Sequence, residues 1–487
     1  MLLLVEVIAF ALIAVTMSAH FGLTDGLTIM AAYLLAYLVP KVVLERARAT
    51  SMGARVVLFV LAVALMTASC INLVEWTTPA GYDLEIPDLK NDARGFYKWA
   101  LYHYDGRVMC DPIVFKGFPA MMLMMWKVLG VSVVWPQAMN MLFTLLAIVL
   151  TGMTTRRLLS HRVTMSPQAL LTCGMLLCGL LTYYLMSGIS ILKEGGVYLS
   201  VSLAGYALSS MAARDEERFR LWGDLLAFAL ACVIMALVRT TYLYFIAVGV
   251  VLLGLPHWRR DWGMSLVFLA IIAVSLVIGN YFAAYSFEHH THIADGGWDM
   301  QVTYIDGQEY NRAAFRKLIG YYFLYSPLHR VLMLPLTLSL QFVVPFPWNT
   351  GETQTIENAL TRISYGWYLF GGIALFYYLF ISWRRGQNMG IWAWWPATAY
   401  AVIAYVMAGS VTRYVLPLEP LFVPVVLFVI CRLREGHWRR LFTRWSIFYV
   451  ILLSLTLMVC LELHWGTFSR MFHTLPLTYY LKQYLPI

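Results

Sequence analysis

The sequence predicts an all-α, polytopic membrane protein of about 13 spans with two large loops on the non-cytoplasmic side. Three observations predict it. Of 487 residues, 61% are apolar and 13% charged, against about 45–50% and 25% in a soluble domain. The apolar residues fall in long runs, and a spanning helix takes roughly 20 residues. The basic residues gather in alternate short connections, the asymmetry that orients membrane proteins. This composition excludes a soluble domain and a disordered chain. The formal charge of +9 belongs to those connections. No basic cluster lies on a soluble stretch, so no nucleic-acid partner is expected.

In order, the predicted spans are 1–19, 27–44, 53–74, 136–155, 168–187, 195–213, 222–238, 241–256, 263–285, 365–383, 390–408, 414–431 and 445–463. The first contains Glu6, lacks a basic leading region and is followed at once by a second apolar run. It is therefore read as a mature helix, not a cleaved signal. The pair 222–238 and 241–256 reads either as two spans or as one long helix broken at Arg239-Thr240-Thr241. With the N-terminus in the cytoplasm, 19 of 35 Lys and Arg residues fall in six short cytoplasmic loops. The Leu328–Pro345 run is then best read as a helix in the outer interface or a re-entrant one. A true crossing would force Arg384-Arg385 outside, and Pro335 and Pro345 suit a broken segment.

The chain thus divides into two N-terminal helices (1–52), a main body (53–463) and an aromatic interfacial tail (464–487) on the non-cytoplasmic side. The large outer loops run over about 75–135 and 286–364. Loops of that length between packed elements are uncommon without a function. Seven cysteines contain no CxxC, and neither a disulfide framework nor a zinc site is expected.

The first loop gathers Glu75, Asp83, Glu85, Asp88, Asp92, Asp105 and Asp111. A solvated loop carries charge in any case, and that bland reading fits each of them. Asp92 stands out because Asp92-Ala93-Arg94-Gly95-Phe96-Tyr97 reads as a helix start, although an acid there also serves as a cap. Cations at span ends on the same side are Lys193, Arg239 and Arg413, with Lys116 in the loop. Each can be an interfacial anchor, or together they can meet an anion at the membrane face. In the second loop, His290 and His292, with Glu288 and Asp295 nearby, can be presented to a divalent ion. A solvated loop is the simpler reading, and no metal is assigned.

Four stretches resemble the membrane glycosyltransferases of the GT-C fold, which include the protein mannosyltransferases and the aminoarabinose transferases. They are Asp92-x-x-x-Phe96-Tyr97; Gly117-Phe118-Pro119 with the amphipathic run to Gly130 and then Val131-Ser132; a span ending in Thr155-Arg156-Arg157-Leu158; and Arg413-Tyr414-Val415-Leu416-Pro417-Leu418-Glu419-Pro420-Leu421. Where many relatives carry an acid pair this chain has Asp92-Ala93, and more spans precede the motif loop than the one found in many relatives. The resemblance implies a GT-C-like membrane catalytic domain over 53–463. It also implies transfer of a sugar from a polyprenyl-phosphate or -diphosphate donor to a glycan, lipid or protein acceptor outside a bacterial inner membrane. Asp92 would be the catalytic base on the acceptor hydroxyl, with Asp88, Asp105 and Asp111 as secondary acids. Arg413, Lys193, Arg239 and Lys116 would meet the lipid phosphate. No cofactor is implied, and the sequence has no Gly-rich phosphate loop.

Two other readings are open. A polymerase or ligase acting on undecaprenyl-diphosphate-linked glycans would rely on Arg and tolerate Asp92→Asn. A lipid-linked glycan transporter would need ionisable groups within the spans, where Glu6 and Glu462 are the clearest.

Overall fold

The computed structural model describes residues 2–46, 50–89, 91–106, 117–181, 188–212, 221–254, 262–279, 388–407 and 416–435, with Ile447, Ile451 and Ser454. All regular structure among them is helical. The helices are α1 (Leu2–Phe21), α2 (Leu23–Glu45), α3 (Met52–Thr77), α4 (Asn91–Tyr104), α5 (Gly117–Leu129), α6 (Val134–Leu159), α7 (Pro167–Gly179), α8 (Glu194–Ala212), α9 (Leu221–Arg239), α10 (Tyr242–Gly254), α11 (Trp262–Gly279), α12 (Asn388–Met407) and α13 (Val423–Arg434). Among these, α1, α2, α3, α6, α9 and α11 are long and apolar enough to cross a bilayer. The protein is a membrane-embedded helical bundle.

Helix starts follow local chemistry. Ser51 caps α3 by accepting from the Ala54 amide at 3.1 Å, and Ser166 caps α7 ahead of Pro167, an arrangement that meets one of the otherwise unpaired first-turn amides. The break between α9 and α10 falls at Thr240-Thr241, so these are two helices. The N-terminal hairpin is closed by a buried polar group. Glu6 accepts from the Tyr37 hydroxyl at 2.8 Å and pairs with Lys41. The rest of α1 is mostly turned outward, as a helix facing lipid is.

Helix α8 is the centre. Every residue from Glu194 to Ala212 except Tyr206 is buried, between α6 and α9. It carries Ser200, Ser202, Ser209 and Ser210. Three of the hydroxyls donate back to their own helix, Ser200 to Gly196, Ser209 to Tyr206 and Ser210 to Ala207, at 2.6–2.8 Å. Small residues let the flanking helices approach closely, and the returned hydrogen bonds let serine sit away from water.

The helix ends sort into two groups. At one end, Arg157 on α6 donates to Asp224 on α9 at 2.9 Å and to the Tyr206 carbonyl on α8 at 3.0 Å, and its guanidinium lies 4.3 Å from the Tyr206 ring. Arg162 donates to Ala212 O, and Glu435 pairs with Arg432 and accepts from Thr164. Arg157 is thus buried in an ion pair; it is not a solvated loop charge. The other end holds α4, α5, the start of α6 and the segment before α8.

Two expected spans take a different course in their described residues. The 168–187 span is helical only to Gly179, and 182–187 lie outside the described residues. The 414–431 span opens with a 3-10 turn, Leu416–Leu421, and becomes α-helical only at Val423. Pro417 and Pro420 lack amide donors and break the ladder, whereas Pro424 fits the first turn of α13. The 445–463 span is described only at Ile447, Ile451 and Ser454, and 365–383, Leu328–Pro345 and the tail lie outside the described residues.

Candidate functional site

Most of the described residues of the 75–135 loop are helical. Asp92 is the second residue of α4, inside its first turn. One turn on, about 6 Å along the axis, Phe96 is buried and meets Phe118 of α5 edge-to-face at 5.5 Å. Tyr97 meets Trp126 at 4.8 Å, and its hydroxyl donates to the Glu85 carbonyl at 3.0 Å. Burial, with Glu85 and Asp83 nearby, raises the Tyr97 phenol well above its ordinary range, so it stays a donor. Phe118, Met122 and Trp126, four apart on α5, form its buried face. Met124 and Val128 point outward, as suits a helix lying in a membrane interface.

The Gly117-Phe118-Pro119 motif has a steric cause. A Cβ on Gly117 would sit 1.9 Å from the Leu237 carbonyl oxygen. Only glycine lets α5 begin against the last turn of α9. That turn ends in Arg239, which is 5% exposed and lies 5.3 Å over the Tyr242 ring. At this helix C-terminus its charge meets the carbonyl end of the dipole favourably. The Val131-Ser132 part of the motif closes the loop. Gly130 takes a positive φ of 85°, and the Ser132 carbonyl accepts from the Trp126 indole at 3.0 Å.

Lys193 is 9% exposed, and its ammonium lies 5.7 Å from the centre of the Phe96 ring, within cation–π reach. The sequence places Lys193-Glu194 in a short outer turn; the structure buries both. The residues before Lys193 are not α-helical beyond Ile189, and their carbonyls are met by side-chain amides. Asn72 of α3 and Gln137 of α6 both donate to Ile189 O, at 3.1 and 2.9 Å. Asn140 of α6 donates to Ser190 O at 2.7 Å and to Leu192 O at 2.8 Å. Gln137 is itself fixed, accepting from the Tyr33 hydroxyl at 2.5 Å. Irregular backbone within a membrane bundle needs such partners.

Among the sequence candidates, the structure brings together the Asp92 helix, Gly117-Phe118, Lys193 and Arg239. Gly196, in the first turn of α8, abuts Val238 beside Arg239. Asp88 and Asp105 are exposed on the same loop. Lys116, Asp111, Arg413 and the His289–His292 cluster lie outside the described residues. Asn72, Gln137 and Asn140 escape sequence reading, because an isolated amide in an apolar run carries no spacing signal. Glu419, which the sequence shows only as part of the Arg413–Leu421 motif, is buried in the 3-10 turn beside α8. An apolar cavity of about 380 Å³ between α1 and α3, with His20 at its rim, includes none of these residues. Compared with protein-family models, curated proteins and solved structures, the chain matches none.

Proposed function

We propose that the protein is a GT-C-like glycosyltransferase of about 13 spans in a bacterial inner membrane, its N-terminus cytoplasmic. It would move a sugar from a polyprenyl-phosphate-linked donor to an acceptor hydroxyl outside. One observation carries the reading: a helix with an acid in its first turn packs, through Phe96, against a buried lysine at the bundle end that also holds Arg239. An alcohol becomes a nucleophile when a positioned carboxylate takes its proton, and Asp92 is the assigned base. The sugar leaves with its anomeric bond electrons on the lipid phosphate, whose charge is met by Lys193 and Arg239, with Arg413 and Lys116 as further ligands. The outward apolar face of α5 supports access for a donor arriving from lipid.

The test is Asp92→Asn. It removes the charge, keeps the size, and is as good a residue at a helix start. Turnover falls roughly 10²–10⁴-fold with donor binding retained, and lipid-linked intermediates accumulate in a strain carrying the variant, read by mass spectrometry. Unchanged turnover removes Asp92 and moves the assignment to Asp88, Asp105 or Asp111. The transporter reading has one observation in its favour, buried Glu419 in a broken segment beside the central helix; broken helices of this kind line transport sites. Glu419→Gln that abolishes glycan export while Asp92→Asn is silent would favour it.

A further inference from the structure

We propose that Asn140 is the positioning residue that sets Lys193 at the anion site. The proposal rests on the reading of Lys193 as a lipid-phosphate ligand and adds what fixes its place. Asn140 is fully buried, about 9 Å into α6 by helical rise, where an unmet carbonyl is costly. Its amide nitrogen donates to Ser190 O and to Leu192 O. The Leu192 carbonyl belongs to the peptide group whose nitrogen is that of Lys193, so this hydrogen bond holds the backbone one bond from the lysine Cα. On the other side of Lys193, a Cβ on Gly195 would lie 2.7 Å from Asn140 Oδ1. Asn140 therefore touches the chain both before and after Lys193. Asn72 and Gln137 hold the same segment further back, at Ile189. The lysine then projects to the Phe96 ring, on the helix that carries Asp92.

Removing an amide that served stability alone would lower the melting temperature and leave the affinity of the folded protein unchanged. A positioning amide acts through Lys193. The experiment uses the full chain in dodecylmaltoside and undecaprenyl phosphate as the probe, with wild type, Asn140→Leu, Lys193→Met and the double variant, all measured well below their melting points. Lys193→Met is expected to weaken binding about 10–100-fold, the loss of one charge-assisted contact. Asn140→Leu is expected to weaken it on the order of tenfold, by displacement of the lysine. In the Lys193→Met background the Asn140 substitution changes affinity less than about twofold. An Asn140 effect of the same size with and without Lys193, or wild-type affinity in folded Asn140→Leu, overturns the proposal while leaving the phosphate site standing. Wild-type affinity in Lys193→Met removes the site itself and the proposal with it. Should Asn140→Leu fail to fold, Gly195→Ala, which pushes a methyl against Asn140 Oδ1, supplies the same displacement and the same cycle.

Discussion

Gly117→Ala perturbs the bundle end at one atom. The new Cβ would stand 1.9 Å from the Leu237 carbonyl oxygen. Ordinary C···O contacts are about 3.3–3.6 Å, so α5 must retreat by about 1.5 Å. Alanine favours a helix over glycine by about 1 kcal/mol, but insertion into a close-packed site costs about 1–3 kcal/mol, and the obstacle here is backbone, which cannot rotate away. The clash wins. Phe118 moves with α5, and with it the Phe96 ring that faces Lys193 at 5.7 Å. That distance is already close to the limit of about 6 Å for a cation–π contact. A displacement of this size at a reacting site can cost on the order of 10²-fold in turnover. Purified variant and wild type are compared by thermal challenge followed by size-exclusion chromatography, and by sugar transfer from a polyprenyl-phosphate donor. The variant melts lower and transfers more slowly. Unchanged melting and unchanged turnover would refute the docking of α5 on α9.

Asp224→Leu leaves the buried Arg157 charge without its carboxylate and is expected to cost about 3–5 kcal/mol, whereas Arg157→Met with Asp224→Leu restores much of the loss. Thermal denaturation of the four proteins decides it, and a double variant no more stable than the weaker single one refutes the pair's role. A reporter fused after Ile487 is expected to read as external. A cytoplasmic signal would show that Leu328–Pro345 crosses or that another span is miscounted.

The helices of the bundle were largely legible in the sequence, because hydropathy and length act residue by residue. α1, α2, α3, α6, α9 and α11 lie where apolar runs predict, and the break at Thr240-Thr241 is the one the sequence offers. The Asp92 stretch was legible as a helix start for a local reason, an acid in a first turn, and the run after Pro119 as an amphipathic segment; that α5 begins at Gly117 was not legible. What was not legible depends on partners distant in sequence. Lys193 reads as a surface anchor until Phe96, 97 positions earlier, closes over it. Arg157 reads as one more cytoplasmic cation until Asp224 lies beside it. Asn140 is one amide among apolar neighbours, and its role exists only because the segment before Lys193 is not helical. The 414–431 span shows the converse: its prolines signalled a break that hydropathy overruled.

The seclusion of α8 has a consequence for how the chain enters the membrane. With four serines and three glycines among 19 residues, α8 is long enough to cross but is not among the helices apolar enough to do so unaided. Insertion of such a segment depends on neighbours to shield it from lipid. During synthesis α6 is already in place when α8 emerges, but α9, which covers its other side, follows it. For that interval the serine-bearing helix is held on one side only, and the bundle's centre becomes permanent when a later helix arrives. The innermost element of the fold would thus be secured only after the helix that follows it has been made.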